Sequence, residues 1–544
     1  MSIPLSRKRN SRIWVLALLI LIPSILSAQV DFTVSNLPII LIDTDGQEIV
    51  DDPKITANMK VIWGEGMNHV DDTSFNYNGQ IGIEIRGSSS QGYYPKKQYG
   101  LETQNPDSSN NDISLLGMPE ENDWILSAPY ADKSLIRNIL AYTLSNQMGF
   151  YAPKTQLCEV VINGEYVGVY VLTEKIKRDK NRVDISSLNE DDIDGDELTG
   201  GYIIKIDKPT GANCNNSFYT EMEKVEIQYE YPKCDEITES QMDYINRYIS
   251  DFEYALYSEE FADPSIGFRK YINLESYINM FICVEISKNV DGYNLSTFLN
   301  KDRESVGGKL NFGPIWDYNL GFGNSFFNDG EETSGFIADQ WWKPWCERLL
   351  LDSTFSNEIQ SKYLNAREDV LSDENVIGII DSLVNILHDP QVRNFQKWDV
   401  IDHHVWPNFF VGNSYYNEVE FLKWWCINRL VWLDNNLQGE LHPYTPSEDF
   451  NVRCFPNPAN KFFSVNFTLE EESAVSLKLL DMQGRILDYK IVNQVYSRGE
   501  HNLTFYDFLN TAKNRKIFYY DSLFVIVLEV DGKVVHKEIL IKKD

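Results

Sequence analysis

The sequence predicts a large α+β domain followed by a small all-β sandwich. Three observations carry that expectation. From Asn36 to about Leu441, strand-like stretches alternate with helical ones in text dense in aromatic and aliphatic residues. "HPYTPSEDF", His442 to Phe450, is a polar, proline-containing connector and marks a domain boundary. Beyond it Phe463, Val465, Phe467 and Leu469 alternate, as do Val475, Leu477 and Leu479, with "DMQGR" and Asp531–Gly532 as turns.

The first 28 residues read as a secretory signal peptide. "SRKRNSR" is a basic start, "IWVLALLILIPSIL" an apolar core broken by Pro23, and Ala28 a small residue for cleavage. The apolar run is short for a spanning helix, and polar "QVDFTVSN" follows it. The mature chain is therefore expected outside the cytoplasm, without a transmembrane segment. The chain has 544 residues and 43% hydrophobic content, enough for one large or two ordinary cores. A formal charge of −32 argues against nucleic acid as a bulk partner, since phosphate backbones need a basic face. There are seven cysteines and no CxxC, which argues against a zinc knuckle. Cys214 and Cys234 lie in polar text and could pair in an oxidising compartment, whereas Cys283 and Cys426 read as buried small hydrophobes.

Within the large domain, residues 29–441, "IGIEIRGSSSQGYYPKKQYGLET" reads as strand, Gly/Ser loop and strand. "DKSLIRNILAYTLSNQMG" is a helix with Ile136, Ile139, Leu140 and Leu144 on one face, Asp132 placed to cap it and Gly149 to end it. "CEVVINGEYVGVYVLTEKI" is a hairpin about Asn163–Gly164, and "GGYIIKID" a further strand. Helices follow from Glu236 to about Phe261 and from Leu274 to Ser287, the latter with an apolar stripe of Leu274, Tyr277, Ile278, Phe281 and Ile282. After "NVDGYN" come the strands "LSTFL" and "KLNFGPIW", which deliver Asp317, and then mostly helix from Trp341 to Leu437.

The polar groups occur in a telling order. A Gly/Ser loop precedes Lys96 and Lys97. A hairpin leads into Glu174–Lys175, a helix ends just before Asp291, and a second hairpin ends at Asp317. This is the order of parts in a two-lobed, protein-kinase-like phosphotransferase, which needs a loop over phosphates, a strand lysine, a catalytic Asp after a helix and a metal-binding Asp after a short hairpin. ATP requires cations at its phosphates. Magnesium wants hard oxygen ligands, which Asp317 and Asn294 could supply. Asp291 could take the proton of an acceptor hydroxyl.

The wording of these segments resembles the CotH family, named for a spore-coat protein kinase of atypical kinase fold. The matching stretches are "LPIILIDTDGQEIVDDPKI", "IEIRGSSSQGYYPKKQYGLE", "LLGMPEENDWILSAPYADKSLIRN", "VGVYVLTEKIKRDKNRVDI", "LTGGYIIKIDK" and "KNVDGYNLSTFLNKD…GGKLNFGPIWDYNLGFGN". The resemblance implies ATP- and Mg-dependent phosphorylation of protein Ser or Thr. It implies Asp291 as the catalytic acid of its loop, with Asn294 and Asp317 as metal ligands. Asn319 stands where some relatives carry Asp, a further and weaker ligand position. Arg86, Ser88, Ser89 and Ser90, with Lys96 and Lys97, match the phosphate-side loop and lysine. Lys96 and Lys97 would face opposite ways on a strand, with Lys97 favoured for phosphate. Glu174 and Lys175 fall where the two lobes would connect. The sequence departs from ordinary kinases in two respects. Asp291 and Asn294 are only three apart, and the helix Ser134–Met148 contains no acid, so Glu84, Glu102 or Glu174 would have to pair with the lysine.

The last segment, residues 451–544, resembles the type A C-terminal sorting domain of the Bacteroidetes type IX secretion system. Phe455-Pro456-Asn457-Pro458-Ala459, "LLDMQGRIL" and the final "KVVHKEILIKKD" carry the likeness, while Ser522 and "TAKNRKIFYYD" depart from it. It implies export to the cell surface or medium through that machinery. Two other readings stand beside an exported kinase: a non-catalytic surface protein of the same fold, and a secreted glycan-binding or glycan-processing protein, suggested only by acidity and twelve tryptophans.

Overall fold

The structure, a computed structural model, describes residues 30–208, 216–340, 343–437, 450, 452–455, 462–480, 486–506 and 523–541. The expected signal peptide, Cys214, Trp341–Trp342, nearly all of the connector and the Pro456–Ala459 motif lie outside these residues. Helix and strand are mixed throughout the large domain, as expected of an α+β protein.

Seven strands close into a barrel in the order Ile39–Asp43, Ile55–Ile62, Tyr77–Arg86, Gln98–Gln104, Asp123–Ser127, Glu165–Glu174 and Thr155–Ile162. All neighbours are antiparallel except Ile39–Asp43 with Thr155–Ile162, the parallel pair that closes the ring. The inward set includes Ile40, Met59, Ile81, Leu101, Trp124, Val160 and Leu172, all fully enclosed. Closure removes the exposed sheet edge that an open barrel would leave. The hairpin turn has φ of 52° at Asn163 and 79° at Gly164, the left-handed pair that matches the twist of the flanking strands. The Gly/Ser stretch is not a plain loop: Ser89–Tyr93 forms a short helix between the strands ending at Arg86 and starting at Gln98.

A second sheet orders its strands Ser217–Tyr219, Glu226–Tyr231, Tyr202–Ile206, Thr297–Lys301 and Leu310–Phe312, antiparallel throughout. It shares one apolar core with the helices Arg137–Gln147, Glu239–Tyr257 and Leu274–Ser287 and with the helices between Cys346 and Asn436. The helix Leu274–Ser287 has no solvent face, because every residue from Ser276 to Ser287 is buried. A single apolar stripe is thus too narrow a description of it. Its one buried acid, Glu285, accepts the N–H groups of Ile337 and Ala338 and pairs with Arg429 at 3.2 Å. Those donors offset the desolvation of both charges.

The helix expected from Asp132 begins at Arg137, and the Asp132 carboxylate still accepts the Arg137 N–H at 2.9 Å. Cys283 and Cys426 are buried thiols, as expected, as are Cys158 and Cys346, while Cys234 is disulfide-bonded. Trp425 is core, but its neighbour Trp424 is exposed, so only one of that pair packs inside. The C-terminal segment forms two antiparallel sheets whose inner residues, Phe463, Val465 and Phe467 from one and Val475, Leu477 and Leu479 from the other, meet in a single apolar cluster. No helix among the described residues is long and apolar enough to cross a membrane.

Candidate active site

The register of the second sheet brings three loops to one end. Ile206 pairs with Thr297, so the residue after Ile206, Asp207, lies beside the loop that runs from Asp291 into Thr297. Leu299 pairs with Phe312, so the chain leaving Phe312 returns to the same end and reaches Asp317. Of three acids distant in sequence, Asp207 and Asp291 therefore act on Asp317, and Asp207 acts on Asp291.

Asp317 sits in a left-handed turn with φ of 60°, an uncommon conformation for a residue with a Cβ and one found at functional sites. The helix Arg137–Gln147 holds this turn. Its Tyr142 hydroxyl accepts the Asp317 N–H at 3.1 Å, and its Asn138 Oδ1 accepts the Tyr318 N–H at 2.7 Å. Asn289 Nδ2 donates to the Asp317 carbonyl at 3.3 Å. The carboxylate itself receives no hydrogen bond among the described residues. Burial, with Asp291 and then Asp207 adding to it, pushes the Asp317 carboxyl up to about 7, against opposition from Lys208 and Arg86.

Asp291 follows the buried helix Leu274–Ser287 after a tight turn. Gly292 is required there, since a Cβ would lie 2.5 Å from Val284 Cγ1. The Asp291 carbonyl accepts the Leu295 N–H at 2.9 Å, and its carboxylate also lacks a donor among the described residues. Burial raises its carboxyl, Lys343 and Lys208 oppose the rise, and Asp207 adds to it. Asn294 does not stand open beside it: its Oδ1 accepts from Lys343 Nζ at 3.0 Å. The same ammonium donates to the carbonyls of Val290 at 3.0 Å and Gly292 at 2.9 Å. Asn319 lies two residues past Asp317, and its carbonyl accepts from Asn324 at 2.8 Å.

The cations near these acids are Lys208 and Arg86, with Lys175 beside Arg86. The Arg86 guanidinium makes no hydrogen bond or ion pair among the described residues. Lys208 reaches across to Ser89 Oγ at 3.1 Å, which ties the short helix to the second sheet. Ser90 accepts from Gln98 at 3.1 Å, and Ser88 is exposed. The Lys175 ammonium lies 3.3 Å from Asp123, and burial lowers its pKa, with Asp123 opposing and Arg86 adding. Tyr94 closes this corner: its hydroxyl donates to the Trp406 carbonyl at 2.9 Å, while Tyr93 stacks on the Trp406 ring at 4.8 Å.

Lys96 and Lys97 precede the strand rather than lying on it, and neither ammonium is open. Lys96 is 2% exposed and donates to Val169 O at 2.5 Å and Asn394 Oδ1 at 2.9 Å, and burial lowers its pKa to about 7. Lys97 donates to Gln91 O at 2.5 Å and Tyr94 O at 2.9 Å, which staples its own loop. The cations that act on Asp317 are instead Lys208 and Arg86. Glu174 is fully buried and accepts from Tyr151 Oη at 3.1 Å and the Lys154 N–H at 2.9 Å, a role in shaping the barrel end. Of the three acids considered as lysine partners, Glu102 pairs with Lys54 at 3.1 Å, and Glu84 faces Lys54, Lys175 and Arg86.

Asp207, Lys208 and Lys343 escape a reading of the sequence. Lys343 alone left a mark, as one cation among the tryptophans of "WWKPWC". Asp207 and Lys208 end an apolar strand, which is also how ordinary surface residues behave.

Residues 83–433 match the family described as CotH kinase protein. That is more than half of the chain, and the chain belongs to this family. It is 23% identical over 277 residues to the inner spore coat protein H of Bacillus subtilis, across 50% of this chain and 68% of that protein. Among solved structures, the alkylpurine DNA glycosylase AlkC of Pseudomonas fluorescens bound to abasic-site DNA matches at 11% identity and a TM-score of 0.16, over 38% of this chain and 57% of that one. A likeness that slight carries no argument about fold or activity.

Proposed function

We propose that this protein is an exported CotH-like kinase that transfers the γ-phosphate of ATP to a Ser or Thr hydroxyl of another protein. The observation that carries this reading is the pair of donor-free carboxylates, Asp291 and Asp317, with Lys208 acting on both and Arg86 on Asp317. A buried carboxylate whose pKa is raised further by the neighbouring Asp291 and Asp207, as Asp317 is, fits a divalent cation, which offsets that repulsion. Asp317 would hold Mg²⁺, which when bound neutralises charge on the β- and γ-phosphate oxygens. Arg86 and Lys208 then orient the phosphates, Arg86 with a fork suited to two oxygens. Asp291 accepts the hydroxyl proton as the acceptor oxygen bonds to the γ-phosphorus and the bond to the β-phosphate oxygen breaks.

The test is thermal unfolding of the exported chain with ATP, with and without Mg²⁺. At a hundredfold excess over Kd, binding should add about 2.7 kcal/mol of stability, and only when Mg²⁺ is present. One observation favours a second reading, a non-catalytic surface protein of the same family: Lys96 and Lys97 are both engaged elsewhere. Under that reading ATP has no effect at any Mg²⁺ concentration.

The two C-terminal sheets support assignment of residues 451–544 as a type IX sorting domain and residues 29–441 as its cargo. Deletion of residues 451–544 is expected to leave the protein in the periplasm. Surface display of the truncated chain would refute that part of the proposal.

A further inference from the structure

We propose that the site takes one divalent cation, on Asp317, and that the Lys343 ammonium stands in for a second ion by occupying Asn294 Oδ1. The inference rests on the kinase reading and deepens it.

An ammonium has three hydrogens to donate. Lys343 commits all three within one loop, to Val290 O, Gly292 O and Asn294 Oδ1 at 2.9–3.0 Å. The loop between these acceptors carries Asp291, whose carboxylate Lys343 also stabilises through space. Lys343 is itself buried, so its charge is little screened by solvent. A divalent ion on the same Asn294 oxygen would lie within a few ångströms of a fixed positive charge, a strongly repulsive arrangement. Asn294 is thus held by a cation that is part of the chain. With no hydrogen left to give, Lys343 does not contact phosphate. It is a positioning residue, and it supplies the positive charge that an Asp–Asn pair would otherwise draw from a second metal. Asp317 differs in kind: its carboxylate has no donor among the described residues, and Lys208 and Arg86 are its cationic neighbours.

The experiment counts Mn²⁺ bound per full-length exported chain in the presence of a non-hydrolysable ATP analogue, by electron paramagnetic resonance of free Mn²⁺. One ion per chain is expected. Asn294→Ala should leave the count at one and the affinity within about twofold, because the amide is not a ligand. Lys343→Met should raise the count toward two by freeing the Asn294 oxygen, whereas Lys343→Arg, which keeps the charge, should stay at one. Two ions in the unaltered protein, or loss of the ion in Asn294→Ala, would overturn the inference while leaving the kinase reading intact. No ion with nucleotide present would overturn both. If Lys343→Met does not fold, the unaltered protein and Asn294→Ala still decide the matter.

Discussion

Asp317→Asn is expected to abolish the Mg²⁺-dependent part of ATP stabilisation, weakening nucleotide–metal binding on the order of a hundredfold. The substitution keeps the shape of the turn and removes only the charge, so the backbone bonds from Tyr142 and Asn289 survive. Thermal unfolding with ATP at several Mg²⁺ concentrations measures it. An unchanged Mg²⁺-dependent shift would show that the metal sits elsewhere. The same variant separates the effect of pH. In the ligand-free protein the Asp317 carboxyl titrates near 7, above the ordinary carboxylate range. The folded state therefore holds a proton that the unfolded chain releases at lower pH. The stability from this group is fully present below about pH 4 and is lost as pH rises through about 7. Asp317→Asn should flatten that slope. Because Mg²⁺ must displace the same proton, its stabilising effect with ATP should weaken below pH 7 in the unaltered protein.

Asp291→Asn is the complementary case. It should lower phosphate transfer by about 10²- to 10⁴-fold, the range for loss of a positioned general base. Nucleotide–metal stabilisation should persist, since Asp291 is assigned the proton and not the ion. Measured transfer to acceptor protein together with the thermal shift distinguishes the two acids. Equal loss of both readouts in Asp291→Asn would place Asp291 among the ligands. Undiminished transfer would remove it from the chemistry.

Four of the barrel's seven strands were legible, the pair flanking the Gly/Ser stretch and the hairpin about Asn163–Gly164, the turn that local sterics favour; closure into a barrel was not. Asp291 and Asp317 were legible because each follows a strong element, a helix in one case and a short hairpin in the other. The fate of Lys96 was not. Its partner Asn394 lies 298 residues away, and nothing in "YYPKKQY" says which lysine the barrel will close over. Asp207 was hidden for a related reason: its place beside Asp291 depends on Ile206 pairing with Thr297, a register no local pattern specifies. The buried helix Leu274–Ser287 was read as one-sided because its polar residues mimic a solvent face. Asn279, Ser287 and Glu285 instead find Ser145, backbone carbonyls and Arg429 inside the core.

The helix Arg137–Gln147 carries no acid and is bonded directly to the Asp317 turn through Asn138 and Tyr142. Ordinary protein kinases are switched by swinging a helix whose glutamate meets or leaves the strand lysine. That lever has no counterpart on this helix, because moving it would carry the Asp317 turn along with it. On the proposed kinase reading, this helix would not supply the usual off position. Output would then be governed by where the chain is delivered and by the ATP it meets there.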